Sequence, residues 1–353
     1  MFARFGKKDT NLVGIDIGSS SVKLVSLSGH SGRFSLDAYT ITPLPPGVVI
    51  DGAIQDVTQV SETIERGVKA IKGFLGRVVV AVPSSAVISK RIEISNAFTE
   101  TELEEQVKLE ADQFIPYPLD EVSIDFEVAG SSPHNPDLNE LLIVACRRGD
   151  VELREDAVNG AGLRCDVVDV DTYAMERAFT VLDGEDLSQG ELVGIVDVGA
   201  ATLTLNVFRN GQIIYNREQA FGSNELTNNI HQHYGVPLED VELQLRQGTC
   251  EAEALQLFVL PFRATVVQQV SRALQFFYSS GVHRELKRLF LTGGTAAIEG
   301  LAEQVQQEIG VITCTANPFL SMNVNAKINP DRLLTDAPTL VKACGLAMRP
   351  DRG

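Results

Sequence analysis

One short pattern of residues occurs twice in this chain, and the two copies lie about half the chain length apart. The first copy reads LVGIDIGSSSVKL over residues 12–24, and the second reads LVGIVDVGAATLTL over residues 192–205. When Asp16 is aligned with Asp197, Gly18 also aligns with Gly199. Self-similarity at so long a spacing indicates two related lobes, because solenoid repeats recur roughly every 20–50 residues.

Each copy begins with an apolar run typical of a buried strand, passes through Gly and small residues, and then alternates apolar and polar residues as a second strand does. We therefore predict two β-hairpins with small, polar tips. Glycine removes the Cβ that would block a ligand, and successive backbone N–H groups form a nest for anions. The predicted phosphate-binding residues are Gly18, Ser19, Ser20, Ser21 and Lys23 in the first copy and Gly199, Ala200 and Thr202 in the second.

An aspartate precedes the tip of each predicted hairpin. A carboxylate repels phosphate but suits Mg²⁺, which keeps several waters in protein sites. Asp16 and Asp197 are therefore predicted to hold Mg²⁺ through water. One hairpin of this kind would as readily be an ordinary surface turn, whereas two copies in the same register favour a site for a nucleoside triphosphate with its metal.

A third segment, LFLTGGT at residues 289–295, is a predicted buried strand that ends in two glycines and enters a helix. Bare backbone at Gly293, Gly294 and Thr295 would let a base or ribose lie close to the chain. Gly222, Asn224 and Glu225, at the start of a predicted helix over 224–234, are candidate ribose contacts. Capping of that helix by Asn224 is an equally good interpretation of the same residues.

Composition restricts the class of protein and its partners. The net charge of −17 disfavours nucleic acid as a partner, because phosphate backbones are repelled by an acidic protein. Five cysteines are scattered without a C-x-x-C pair, which is typical of reduced thiols in a cytoplasmic protein. The sequence has no apolar window near the roughly 18 residues that a membrane span needs.

The three segments GIDIGSSSVK, GIVDVGAAT and FLTGGTA resemble the two phosphate loops and the adenosine loop of the superfamily of actin, heat-shock ATPases and sugar kinases. The resemblance implies an α/β protein with the actin-like ATPase fold, two ribonuclease-H-like lobes, and ATP with Mg²⁺ as ligands. Asp171 lies where relatives carry a Glu or Gln that orients the attacking water, so it is the implied catalytic residue. An aspartate is one methylene shorter, and small misplacements cost large factors in rate, so we expect weak ATPase turnover at most.

The region between residues 78 and 128 resembles the inserted 1C-type subdomain of the division protein FtsA and, more closely, the PilM family of type IV pilus assembly. A run of the form EA-x-x-x-IP-x-P-x-x-E, from Glu110 to Glu121, carries this resemblance. It implies a scaffold of twitching motility that binds the N-terminal cytoplasmic tail of the inner-membrane protein PilN. The pilus motor ATPases and a second copy of the chain are further candidate partners, and the chain would reach the inner membrane through PilN.

The PilN tail is expected to dock between the first lobe and the inserted subdomain. Apolar residues there are candidate contacts, although each is as readily plain core: Ile92, Ile94, Phe114 and Ile115. Two other functions stay open, an FtsA-like division or cytoskeletal ATPase and a small-molecule kinase. A kinase needs a carboxylate base and polar contacts for its acceptor, and no convincing acceptor site occurs in the sequence.

The predicted subdomain limits follow from these segments. Thr99, followed by Glu102, is the signature of a helix start inside the inserted subdomain, and a final helix is predicted at Ala337–Ala347. We expect the first lobe (1A) at 1–83 and 164–190, the 1C-like subdomain at 84–163, the second lobe core (2A) at 191–217 and 284–353, and a helical subdomain (2B) at 218–283.

Overall fold

The computed structural model describes residues 12–30, 33–71, 77–182, 190–281 and 285–350. Within these ranges the chain forms sixteen strands and eleven helices. The strands are β1 (Leu12–Ile17), β2 (Ser21–His30), β3 (Arg33–Pro43), β4 (Val49–Ile50), β5 (Ala53–Ile54), β6 (Arg77–Val82), β7 (Val87–Ser95), β8 (Val122–Ser131), β9 (Leu138–Arg147), β10 (Cys165–Val170), β11 (Leu192–Val198), β12 (Thr202–Arg209), β13 (Gln212–Ala220), β14 (Leu286–Thr292), β15 (Ile312–Thr315) and β16 (Asn323–Val324).

The helices follow the same numbering by chain order. They are α1 (Val57–Ala70), α2 (Glu100–Asp112), α3 (Arg148–Gly160), α4 (Asp171–Leu182), α5 (Asn224–Tyr234), α6 (Leu238–Gln247), α7 (Ala252–Ala254), α8 (Leu260–Ser279), α9 (Leu301–Ile309), α10 (Pro330–Asp336) and α11 (Val341–Ala347).

The first large sheet has the strand order β10-β6-β1-β2-β3-β16, with β1 antiparallel to β2 and parallel to β6. Because successive side chains of a strand point to opposite faces, β2 supplies two separate cores. Val22 and Leu24 pack with α1 and α3 on one face. Val25 and Leu27 pack with α11 on the other face. The sheet is therefore covered by helices on both sides.

The second large sheet repeats this plan with the order β13-β12-β11-β14-β15. Here β11 is antiparallel to β12 and parallel to β14, as β1 is to β2 and β6. One face packs on α5, α6, α8 and α9. On the other face, Ile195 and Phe208 pack on Met175 and Phe179 of α4. The two predicted hairpins and the two-lobe arrangement are thus confirmed.

Helices α4 and α11 form the layer where the two lobes meet. The close approach depends on small residues: a Cβ added at Gly345 would lie 1.9 Å from the Ala174 carbonyl oxygen, and one at Gly14 would lie 2.0 Å from that of Ala343. Real Cβ atoms do not come so near to backbone, so only glycine permits this packing. The small residues of the last helix therefore bring it directly against β1 and α4.

A smaller sheet with the order β7-β9-β8 carries helix α2 on one face. The predicted capping box at its start is confirmed: the Glu102 N–H donates to Thr99 Oγ1, and the Thr99 N–H donates to Glu102 Oε2 at 2.8 Å. Ile94 and Val107 are buried between this helix and the sheet, together with Leu141 and Ile143. This sheet and helix make up most of the predicted inserted subdomain.

Two local assignments differ from expectation. Strand β3 extends the first hairpin to three strands, and no strand was predicted there. Most residues of β3 are only half-buried, so its sequence has no continuous apolar run of the kind that marks a buried strand. The final helix predicted at Ala337–Ala347 is split: 337–340 form a tighter 3₁₀ turn and α11 begins at Val341. Pro338 lacks a backbone N–H, so regular helical bonding does not extend through it.

The predicted subdomain limits stay predictions. The contacts show that α3, which lies inside the predicted range 84–163, packs on α1 beside the first large sheet. The polar stretch at residues 183–191 is predicted from the sequence to link the lobes, and 183–189 of it lie outside the described ranges. Among the helices that the structure describes, none is both long and apolar enough to cross a lipid bilayer.

Candidate functional site

The tips of the two hairpins face one cleft between the lobes. Both tips are closed in the same way: the Gly18 N–H donates to the Ser21 carbonyl at 3.1 Å, and the Gly199 N–H donates to the Thr202 carbonyl at 2.9 Å. The sequence repeat is therefore also a repeat of backbone hydrogen bonding. It places two Gly-containing turns, one from each lobe, on either side of a shared space.

The cleft encloses about 1400 Å³ of space, counted out to its open mouth. Most of the residues predicted from sequence line it. They are Asp16, Gly18, Ser19, Ser20, Ser21, Lys23, Asp171, Asp197, Gly199, Ala200, Thr202, Gly293, Gly294 and Thr295.

Gly222 and Asn224 are placed behind the second hairpin tip rather than on the cleft wall. The Asn224 N–H donates to the Ala200 carbonyl at 2.8 Å, and a Cβ added at Gly222 would lie 2.4 Å from that same carbonyl group. The capping interpretation of Asn224 is wrong, because Ser223 is the N-cap of α5. Ser223 and Thr227 line the cleft instead. Gly222 and Asn224 thus hold the tip in place from behind.

Each of the two predicted metal-binding aspartates is paired with a lysine. Lys23 Nζ lies 3.3 Å from Asp16 Oδ2 across the β1–β2 ladder. Lys342 Nζ lies 2.8 Å from Asp197 Oδ2, and Thr292 Oγ1 donates to Asp197 Oδ1 at 3.0 Å. Among the residues described, no group of three or more His, Cys, Asp or Glu is arranged to hold a metal ion directly.

The charges around Lys342 reinforce one another. Burial opposes ionisation of Lys342 and of Asp197, but the attraction between opposite charges outweighs this effect. The pKa of Lys342 is raised by Asp197, Asp171 and Asp16, and the pKa of Asp197 is lowered chiefly by Lys342. Both groups are therefore charged at neutral pH. Removal of either would leave the other charge partly buried and less well paired, which proteins avoid.

Asp171 begins α4 at the floor of the cleft. Its Oδ1 accepts the Ser84 N–H at 2.9 Å, so one carboxylate oxygen is held by the chain that follows β6. Burial raises the pKa of Asp171, while the charge of Lys342 and the Ser84 N–H oppose that rise. A carboxyl group with a raised pKa in a cleft is typical of a functional position.

Another part of the cleft wall, beside the second hairpin tip, combines open backbone with polar groups that lack partners. Gly293 has φ +87° and donates its N–H to the Pro338 carbonyl at 2.9 Å. A Cβ added at the next residue, Gly294, would meet nothing within 4 Å. Within the described part of the chain, Thr295 Oγ1 and Thr339 Oγ1 are buried without a hydrogen-bond partner. Buried hydroxyls usually have a hydrogen-bond partner, so these two threonines are suited to bind a polar ligand.

Several lining residues were not identified from the sequence. Glu242 and Arg246 extend from α6 into the cleft, and Glu218 extends from β13. Burial raises the pKa of Glu242, while its hydrogen bond with Ser20, across the cleft on the first hairpin tip, lowers it. Lys342 could have been noticed in the sequence, since it is the single charged residue in the largely apolar stretch Ala337–Met348. A charge in such a stretch is rarely buried unless it is paired.

The comparison with known families agrees with this architecture. The family described as "Type IV pilus assembly protein PilM" matches residues 14–351. Among solved structures, a "PilM-PilN type IV pilus biogenesis complex" superposes with a TM-score of 0.73 at 25% identity, covering 96% of this chain and 99% of that chain.

A second solved structure supports the fold alone. The ethanolamine utilization protein EutJ from Carboxydothermus hydrogenoformans superposes with a TM-score of 0.54 at 16% identity, covering 95% of this chain and 88% of that one. The two-lobe plan, the paired hairpins and these likenesses give the chain the actin-like ATPase fold. With a match across nearly its whole length, the chain belongs to the type IV pilus assembly protein PilM family.

Proposed function

We propose that this protein binds ATP between its two hairpin tips and acts as a cytoplasmic scaffold in type IV pilus assembly. The observation that carries the proposal is the convergence of two Gly-containing turns and the 293–295 backbone on one cleft. A nucleotide there touches both lobes at once. Its binding energy therefore favours the closed arrangement over any in which the lobes separate.

The phosphates are proposed to lie at the hairpin tips and the adenosine against residues 293–295. Small residues at the tips let a ligand approach the backbone closely, and Lys23 supplies a positive charge beside them. Elsewhere on the cleft wall, Ile298 and Leu245 give apolar surface, and Thr295 and Thr339 offer unpartnered hydroxyls. Cationic, polar and apolar groups in one cleft suit the phosphates, ribose and base of ATP.

Hydrolysis is proposed to be slow. Asp171 is the carboxylate available to orient water, and one of its oxygens already accepts the Ser84 N–H. Its side chain is also short, and a catalytic group misplaced by about 1 Å can cost about a hundredfold in rate. The nucleotide therefore serves to hold the lobes together more than to supply energy by turnover.

The partner is proposed to be the N-terminal cytoplasmic tail of PilN, since the solved relative is a PilM–PilN complex. We place the tail between the first lobe and the β7-β9-β8 sheet, which positions the protein at the inner membrane through PilN. Ile94 and Ile115 are buried in the core of that subdomain. Ile92 and Phe114 are only partly buried, and Lys90 Nζ lies 4.8 Å from the Phe114 ring centre.

The nucleotide proposal is tested by filling the cleft at Gly294. An added Cβ there meets nothing within 4 Å, and a valine side chain would occupy the space in front of the backbone. In calorimetric titration, Gly294→Val is expected to lower ATP affinity by more than about tenfold, or about 1.4 kcal/mol. Gly149→Val, at an exposed position of α3 where an added Cβ also meets nothing, is the matched control and should bind ATP like the unaltered protein. Equal ATP affinity in all three proteins would contradict the proposed site.

The partner proposal is tested with a synthetic peptide of the PilN tail, titrated with and without ATP. Binding is expected, and Phe114→Ala should weaken it, because that ring is the largest partly exposed apolar group among the candidate contacts. Phe98→Ala, at an exposed position before α2, is the control. Absence of peptide binding both with and without ATP would contradict the proposed partner and favour the alternatives, an FtsA-like ATPase or a kinase.

A further inference from the structure

Lys342 is a charged side chain on a helix that is otherwise buried. Its neighbours Val341 and Ala343 are 1% and 0% exposed, whereas the Lys342 side chain keeps 26% of its surface and lines the cleft. The helix α11 packs on the first sheet, yet this lysine reaches Asp197 of the second sheet. The chain thus directs an ammonium group into the space between the hairpin tips.

The ammonium lies where the sequence predicted a divalent cation. It is 2.8 Å from Asp197 Oδ2, and Asp197 Oδ1 accepts a hydrogen bond from Thr292. Both oxygens of this aspartate are therefore in use. The other predicted metal-binding residue, Asp16, is 3.3 Å from Lys23 Nζ.

The ammonium already neutralises part of the negative charge at this position. Three carboxylates, from Asp16, Asp171 and Asp197, interact electrostatically with Lys342. A Mg²⁺ ion bound at Asp197 would lie next to the ammonium, and like charges at contact distance repel. Across the described residues there is also no cluster of acidic or imidazole groups arranged to compensate by direct coordination.

An ammonium group can serve a phosphate chain as well as a carboxylate. It carries three donors, and one of them is used by Asp197. The other two are available to phosphate oxygens at the tips, where Lys23 already supplies a second positive charge. Lysine commonly binds phosphate in this way, as a point charge without strict geometry.

We propose that Lys342 is the resident cation of this cleft and takes the role of a divalent metal, so that ATP binds without Mg²⁺. This inference rests on the proposed nucleotide site. It assigns Lys342 a positioning and charge-neutralising role toward the phosphates. This role distinguishes the cleft from a nucleotide site in which a metal ion neutralises the phosphates.

The experiment is calorimetric titration of ATP into the full chain in excess EDTA and in millimolar Mg²⁺. For the unaltered protein, the two affinities are expected to agree within about threefold. Lys342→Met should lose about tenfold or more in EDTA, the size of one lost charge-assisted hydrogen bond, and recover in Mg²⁺ once the ammonium no longer excludes the ion. Lys327→Met, at an exposed position, is the matched control and should behave like the unaltered protein.

The possible results distinguish the role of Lys342 from the nucleotide site on which that role depends. ATP binding that needs Mg²⁺ in the unaltered protein would overturn the role of Lys342 while leaving the nucleotide site intact. No ATP binding in either condition would overturn the site itself. If Lys342→Met does not fold, Lys342→Arg keeps the charge and should keep binding in EDTA, and the comparison in the unaltered protein decides by itself.

Discussion

The Lys342 ammonium lies 2.8 Å from a carboxylate oxygen of Asp197, and this ion pair joins the last helix to the second large sheet. Lys342 belongs to α11, which packs on the first sheet, and Asp197 belongs to β11, the central strand of the second. The pair is partly enclosed, so it is less screened by solvent than an ion pair on the surface. It therefore contributes to holding α11 against the second sheet at the cleft.

A double-mutant cycle on this pair should give a clear interaction energy. Asp197→Asn and Lys342→Met are each expected to lower the free energy of unfolding, because each leaves a partly buried charge with fewer partners. The double variant should lose less than the sum of the two by about 1 kcal/mol or more. The measurement is urea unfolding without nucleotide.

The control cycle uses Glu65 and Lys69 on α1, whose ions also lie 2.8 Å apart but remain 49% and 69% exposed. Exposed helical pairs of this spacing contribute about 0.3–0.5 kcal/mol. Equal interaction energies in the two cycles would show that the Lys342–Asp197 pair is no better shielded than a surface pair.

Gly222→Ala should destabilise the second hairpin tip. An added Cβ would lie 2.4 Å from the Ala200 carbonyl group and 2.6 Å from the Gly199 carbonyl oxygen, so the tip must move. Overpacking of this kind costs about 1–3 kcal/mol. Gly149→Ala, where the new methyl meets nothing within 4 Å, should be neutral or slightly stabilising in the same thermal unfolding measurement. A loss of stability in the second variant as large as in the first would refute the steric argument.

Thr99→Ala should weaken the start of α2 by about 1 kcal/mol, the usual value of an N-cap side chain. Thr101→Ala, at an exposed position in the first turn, is the matched control and should have little effect. Both variants are measured by urea unfolding at neutral pH.

The same pair of variants has a predicted pH dependence. The Thr99 N–H and hydroxyl donate to Glu102 and lower its pKa below the usual value. A carboxyl group whose pKa is depressed by folding stabilises the fold above its unfolded pKa of about 4.3, and that contribution is lost as pH falls through the folded pKa. The difference between the unaltered protein and Thr99→Ala should shrink at low pH, and a difference that grew on acidification would contradict the capping box.

Cys165 should react slowly with iodoacetamide in the folded protein. Burial, and secondarily Glu155, raise the pKa of its thiol to about 11. Against an unfolded value of about 8.5, this leaves roughly a hundredfold less thiolate at pH 8, and the thiolate is the reactive form. Mass spectrometry of timed samples should show slow labelling at pH 8 that accelerates toward pH 11, and fast labelling in urea. Equal rates in the folded and unfolded protein would contradict the burial of this thiol.

Local patterns in the sequence predicted the parts of the protein that depend on neighbouring residues. The hairpins at Asp16 and Asp197 follow from short apolar runs, glycine and small residues, and both form as predicted. The capping box at Thr99 depends on a spacing of three residues and is also present. Such features are encoded within a few positions, so they are visible without knowledge of the rest of the fold.

The sequence alone determined that two hairpins with Gly-containing tips exist and that their likeness implies two lobes. Only the tertiary structure decided which other side chains lie in the cleft beside the tips. Lys342 comes from the last helix and Glu242 from a helix of the second lobe, and their approach to the cleft depends on which faces of α11 and α6 pack inward. The physical reason is that a charge in a folded protein is defined by its neighbours in space, and those neighbours lie far away along the chain.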